Sequence, residues 1–416
     1  MFIKHFQNSI SRRHRDTERE QPNINTLRAS RLCERNIFRM GIIALFVLSA
    51  IPVHAQAQWW LGLEQGKQYY RNGAYGNALM AFEDARRARM DRFTRLENDL
   101  ILVLSTPEYR RFGDSLNGIE TYSIEQRRNN VIEILNELYY HYPKELLGGS
   151  INRLLNVLDR LKAYPEAEFW IGEVFRSEGE TGLALRQYQR AYDERALLQT
   201  PGFDVEIMYR IVDMHRIRQE RQEMENRALD ILRGSPVDIN GVSNGVPRDY
   251  LWAGESQSFA RAAMMRILEN EGIGRFLTLY RYSNIQIEKA HRFLGLYYYT
   301  SSRHNNAAEH LMFAFLIQNT LLIDEVIRLQ FDFTYTNLDN LMESIQRRPE
   351  LLAYLEQIEY FRTIYYLAAS LHATGKQLPA RQLWTFLSNR PESGEWQRRS
   401  RSQLQNPYID RAQEMP

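Results

Sequence analysis

Along most of the chain after residue 58, apolar residues return at steps of three and four with polar residues between them. This is the period of an amphipathic helix. NNVIEILNELYYHY (129–142) and INRLLNVLDRLKAY (151–164) show it most simply. The stretch 207–234 reads as a degenerate helix pair closed by Gly234, and 259–282 reads as another. The pattern continues through 319–333 and 351–373. No convincing run has the strict alternation of a half-buried strand. Two stretches interrupt the helices. Residues 104–124 mix Pro, Gly, Ser and Asn and read as a long loop, while RGSPVDINGVSNGVPR (233–248) is the clearest cluster of helix breakers and reads as a hinge.

One pattern recurs with fixed internal spacing. In GKQYYRNGAYGNALMAFEDA (66–85) it consists of Gly66, Tyr69, Gly73, Ala78, Phe82 and Ala85. It returns without a gap as Gly172, Phe175, Gly179, Ala184, Tyr188 and Ala191, and again as Gly295, Tyr298, Ser302, Ala307, Leu311 and Ala314. A weaker copy is Ala368, Leu371, Gly375, Ala380, Trp384 and Leu387. The physical reading is two short antiparallel helices. The first small residue admits the second helix closely, the middle Gly or Ser tolerates the left-handed conformation that ends a helix, and the last three positions share one face. Neither helix buries its stripe alone, so neighbouring pairs must stack.

This arrangement resembles the tetratricopeptide repeat family, whose motif of about 34 residues places small and aromatic side chains at these steps. The departures are specific. The proline that closes the family motif is absent after Ala85, Ala191 and Ala314, and the copies are not contiguous. The resemblance implies an all-α fold, an α-solenoid of about six or seven antiparallel helix pairs, several of them degenerate. It also implies that the first helix of each pair lines a concave groove. The groove positions are then Trp60, Leu63, Lys67 and Tyr70; Glu166, Phe169, Glu173 and Arg176; Lys289, Arg292, Leu296 and Tyr299; and Arg362, Tyr365, Ala369 and His372. Aromatics mixed with charges of both signs suit a protein or peptide partner. Some members of the family clamp a C-terminal carboxylate with paired Lys and Asn. No Asn stands at the corresponding places here, so that specificity is not expected.

The N-terminus is a separate object. Residues 1–57 carry 9 basic and 4 acidic side chains, whereas the remainder carries 44 and 47, so the formal net charge of +2 belongs to the leader. The uncharged apolar run 41–53 suits the hydrophobic part of a signal peptide and falls short of the roughly 18 residues that span a bilayer. Val53-His54-Ala55 and Ala55-Gln56-Ala57 both fit a small-x-small cleavage site. The one cysteine, Cys33, precedes this run, so a cleaved chain has none and forms no disulfide. An exported, periplasmic location is expected, with retention as an inner-membrane anchor the alternative. The chain then divides into the leader (1–57), a helical block (58–232), a linker (233–250), a second helical block (251–390) and a polar tail (391–416) expected to fray.

Chemistry leaves no specific signature. Zinc-ligand spacing, a nucleophile elbow and a phosphate-cradling loop are all missing from the sequence, and His304 and His310 stand six apart, wrong for one helix face. His291 reads as structural. Only 6 of the 53 basic residues are lysine, and no basic stretch points to nucleic acid. The expectation is an exported, non-enzymatic scaffold that binds a protein or peptide partner in the cell envelope. It needs no cofactor and no metal, and it meets a membrane only through an uncleaved N-terminal segment. The alternative is a membrane-anchored accessory subunit of an envelope complex.

Overall fold

The computed structural model describes residues 59–105, 151–234 and 258–410, with side chains described for 59–101, 155–234 and 258–410. The expected leader, the loop at 106–124, the helix at 129–142 and most of the 233–250 linker lie outside these residues. Everything described is helix, turn or short connection, without strands, so the chain is all-α. In chain order the helices are α1 (Trp59–Arg71), α2 (Tyr75–Ser105), α3 (Ile151–Leu161), α4 (Pro165–Ser177), α5 (Thr181–Asp193), α6 (Phe203–Ile217) and α7 (Arg221–Arg233). There follow α8 (Ser258–Leu279), α9 (Ile285–Thr300), α10 (His304–Leu329), α11 (Leu338–Gln346), α12 (Pro349–Gln357), α13 (Tyr360–Ala373), α14 (Gln377–Ser388) and α15 (Glu395–Gln405).

Five helical hairpins, α1–α2, α4–α5, α6–α7, α9–α10 and α13–α14, turn in the same way. Gly73, Gly179, Gln219, Ser302 and Gly375 all take positive φ, between 58° and 82°. The residue after each donates its N–H to the carbonyl five positions back: Ala74 to Tyr69, Glu180 to Phe175, Glu220 to His215, Arg303 to Tyr298 and Lys376 to Leu371, all at 2.8–3.0 Å. This is the six-to-one bond of a Schellman cap, which satisfies a carbonyl that a helix end would otherwise leave bare. The two non-glycine cases, Gln219 and Ser302, carry a steric cost that a glycine would not.

The small first residue is explained by what lies on it. A Cβ added at Gly66 would meet the Phe82 ring at 2.4 Å, one at Gly172 the Tyr188 ring at 2.7 Å, and one at Gly295 the Leu311 Cγ at 2.5 Å. The partner always stands sixteen positions on, across the turn. The α6–α7 hairpin keeps the register with the sizes exchanged: Val212 is on the first helix and Ala228 on the second, both buried.

Successive hairpins pack second helix to first helix: α2 on α4, α5 on α6, α7 on α9, and α10 on α13. The described residues lie within one compact unit. One apolar cluster runs from Trp59 to Leu197 and a larger one from Phe169 to Leu387, and Trp170 and Phe175 pack against both. The long apolar helix α10 meets the length and composition of a membrane span. It lies against α8, α9, α11 and α13, with most of its apolar stretch buried, as a central core helix requires.

Three expectations need correction. The run 319–333 is the continuation of α10, which ends at Leu329. The run 351–373 is two helices, because Glu359 takes a left-handed φ of 51° between α12 and α13. The tail does not fray at 391. Residues Pro391–Ser393 form a 3-10 turn and α15 follows, with Ser400 and Gln403 fully buried. A helix that buries serine and glutamine shows no apolar stripe, which is why its polarity reads as solvent-exposed. The 259–282 stretch is bent where Gly272 takes φ 81°; there the neighbouring Ile273 N–H donates to Gln382 Oε1 of α14 at 3.2 Å.

Candidate partner-binding face

The first-helix positions sort into four groups. Leu63, Phe169, Leu296 and Ala369 are buried within the protein's own core. Phe169 sits in an aromatic cluster, 4.7 Å from Phe203 and 5.6 Å from Tyr188 between ring centroids. These four are packing residues and offer nothing to a partner.

The second group, His372 apart, bridges neighbouring hairpins. Glu173 is buried and accepts from Arg176 (2.8 Å), from Arg210 of α6 (2.7 Å) and from the Tyr188 hydroxyl (2.6 Å). Burial pushes its carboxyl up, but the hydrogen bonds and charges of these three groups outweigh that, and the net shift is below the ordinary carboxylate range. Glu166 accepts from the Gln199 N–H at 3.0 Å. Tyr209 donates to the Gln286 carbonyl (2.8 Å) and accepts from the Ala290 N–H (2.9 Å), and the Lys289 ammonium lies 4.7 Å from its ring centroid. Arg292 pairs with Glu288 (3.1 Å) and with Glu359, which also holds Arg362 (3.2 Å). Glu288 is buried, and burial pushes its carboxyl above the ordinary range despite the Arg292 charge. His372 hydrogen-bonds Gln377 through Nδ1 at 2.9 Å, within its own hairpin.

The third group is in reach of solvent at the N-terminal end. Trp60 is 48% exposed. Lys67 pairs with Glu64 at 2.6 Å and lies 5.8 Å from the Trp170 ring, and the Tyr70 hydroxyl shares a 2.9 Å hydrogen bond with Ser177.

At the other end, Tyr299 and Tyr365 are buried by the chain itself. The Tyr299 hydroxyl donates to the Asp410 carbonyl (2.6 Å), and the Tyr365 hydroxyl donates to Asp410 Oδ2 (2.7 Å). Arg399 of α15 pairs with the same Oδ2. Its guanidinium lies 4.8 Å from the ring centroids of both Tyr365 and Trp396. Tyr366 completes the cage, 5.0 Å from Tyr299 and 5.3 Å from Tyr365. Gln403 donates to the Tyr365 hydroxyl at 3.2 Å and accepts from the Tyr408 N–H at 2.9 Å. Burial, reinforced by the Asp410 charge, raises both tyrosine hydroxyls above their ordinary range, so they act as donors. The groove positions found two members of this cage; Tyr366, Trp396, Arg399 and Asp410 were missed. The tail's Tyr, Trp and Arg carried the one available signal.

A second feature missed in the sequence is the pair His291 and His310, both buried, with Nδ1 to Nδ1 at 3.0 Å. They stand on facing helices of one hairpin, 19 positions apart. Burial first, and then His291 and Arg261, hold His310 well below the ordinary imidazole range, so it is neutral. Among the described residues, no group of three or more His, Cys, Asp or Glu side chains is placed to hold a metal ion.

No family model matches the chain. It is similar to an uncharacterized protein of Treponema pallidum (strain Nichols), 23% identical over 353 residues, which covers 85% of this chain and 91% of that protein. It is also similar to an uncharacterized protein of Borreliella burgdorferi, 20% identical over 277 residues, 64% of this chain and 85% of that protein.

Proposed function

We propose that the protein is a non-enzymatic, tetratricopeptide-like scaffold, exported to a bacterial envelope, that binds a protein or peptide partner along the first-helix face of its hairpins. The observation that carries this reading is the repetition. Five hairpins share one cap and one register, and each second helix seats the next first helix. Stacking of this kind builds an extended surface from one structural unit, the usual basis of partner binding in α-solenoids. The N-terminal hairpin supplies an accessible part of that surface, with a half-exposed tryptophan, a lysine and a tyrosine on one helix, α1. Trp and Tyr bury much area at low entropic cost, as anchors at protein interfaces do.

Site-specific photo-crosslinking in intact cells tests it. A crosslinker at position 60 or 70 should give a discrete protein adduct, while one at Met80, 67% exposed on α2 of the same hairpin, should not. Equal yields at all three positions would remove the first-helix face from the account.

A further inference from the structure

The cage around Asp410 has the composition of a ligand site and is filled by the chain's own C-terminal segment. Its charged member, Arg399, has 18% of its side chain exposed and is stacked among Tyr365, Tyr366 and Trp396. Two tyrosine hydroxyls converge on one residue, one on its carboxylate and one on its backbone carbonyl. A guanidinium and hydroxyl donors in a largely desolvated aromatic setting recognise a carboxylate. The backbone contact from Tyr299 adds a requirement for an extended peptide rather than a free acid.

The segment that fills it is held at few points. From Gln405 to Ile409 every residue is exposed, and Tyr408 and Ile409 present 44% and 57% of their surfaces to solvent. The Tyr408 N–H and Asp410 make its connections to the cage. An apolar Tyr-Ile pair facing water beside a half-buried aspartate is poor packing for a permanent strap. It is what a displaceable occupant looks like.

We infer that the Tyr299–Tyr365–Tyr366–Trp396–Arg399 cage is a binding site for an extended acidic peptide, and that the chain's own 406–410 segment competes for it. This deepens the scaffold reading and rests on it, because three of the five cage side chains, Tyr299, Tyr365 and Tyr366, lie on the first helices of the last two hairpins, with Trp396 and Arg399 added by α15. It assigns the acceptor chemistry of the C-terminal end: an aspartate side chain with the backbone carbonyl of the same residue. A partner segment carrying that chemistry displaces the tail, so occupancy in trans depends on release in cis.

The test uses the full-length chain and a fluorescent, C-terminally amidated peptide Asn-Pro-Tyr-Ile-Asp, with an Asn-Pro-Tyr-Ile-Asn peptide as control. Asp410→Asn protein should bind the acidic peptide at least about tenfold more tightly than the unaltered chain, and should bind the control peptide no better than the unaltered chain does. Adding Arg399→Gln to Asp410→Asn should abolish the gain, with thermal unfolding used to confirm that both variants are folded. Equal affinity of the unaltered and Asp410→Asn chains, or binding that survives Arg399→Gln, overturns the inference. A discrete adduct at position 60 with no peptide gain in Asp410→Asn would leave the scaffold reading standing without this site. A peptide gain without that adduct would do the reverse.

Discussion

Tyr70 and Tyr299 occupy the same register position in the first and fourth of the five hairpins, and their surroundings differ completely. Tyr70 is half-buried and meets Ser177 at the edge of the next hairpin. Tyr299 is 3% exposed and its hydroxyl is capped by the backbone of Asp410. Both point the same way from their helices, because the turn and the glycine-to-partner contact fix the rotation of each first helix. What differs is what lies over them. Hairpin α1–α2 has α3 and the next hairpin beside it, whereas α9–α10 and α13–α14 carry α8, α15 and the tail. Repetition sets direction; the segments added to the repeats set availability.

The sharpest way to break this contrast is to delete one tryptophan from each region. Trp384 is completely buried on α14, and Trp384→Ala should cost about 3–5 kcal/mol in urea unfolding. Trp60→Ala should cost less than about 0.5 kcal/mol, as surface changes usually do. Similar losses at the two sites would mean that the N-terminal hairpin is as enclosed as the C-terminal one.

A second comparison concerns close approach. Gly295→Val drives side-chain atoms into Leu311, including its backbone N at 3.1 Å, and should destabilise by about 1–3 kcal/mol. Gly73→Ala meets nothing within 4 Å and suffers only from its φ of 74°, a cost of about 1 kcal/mol. If the alanine at 73 proved the more damaging in thermal unfolding, the packing explanation of the small residues would fail.

Acid should distinguish the regions next. His310 is held neutral in the fold, while the unfolded chain protonates near pH 6.5. The unfolded state therefore binds more protons below that value. Stability is at its full level above it and falls as pH drops, by up to about 1.4 kcal/mol per pH unit from this group. Replacing His310 with Phe should flatten the slope of stability measured between pH 6.5 and 5, and an unchanged slope would mean that His310 is not its source.

The smallest effect belongs to the exposed end. Lys67→Ala removes an ion pair whose glutamate side chain is 63% exposed, and should change stability by no more than about 0.5 kcal/mol. A loss above about 1 kcal/mol in the same unfolding assay would show that the Trp170 contact, rather than the ion pair, anchors α1.

Much of this was legible beforehand. Gly66, Gly172 and Gly295 announced where helices meet, and Gly73, Gly179, Ser302 and Gly375 announced where they turn, since each demand falls on one residue with few chemical solutions. The α6–α7 hairpin was visible as a degenerate pair, though its exchange of sizes, Val212 against Ala228, hid the match. The candidate face was read less well. Helical spacing gave the right side of each first helix, but it could not separate Leu63 and Phe169, which belong to the core, from Trp60 and Tyr70. Nor could it place Arg399 or Asp410 beside Tyr365, because those contacts cross 34 and 45 positions of sequence.

The sequence by itself determined the all-α class, the hairpin turns and the rotation of each first helix, because these depend on residues within about twenty positions of one another. The tertiary structure alone decided which of those faces stay open: whether a tyrosine meets solvent depends on where remote segments come to rest. Residues 391–410 are too polar to advertise burial, since their hold on the fold comes from a guanidinium, an aspartate and buried amide and hydroxyl groups rather than from an apolar stripe.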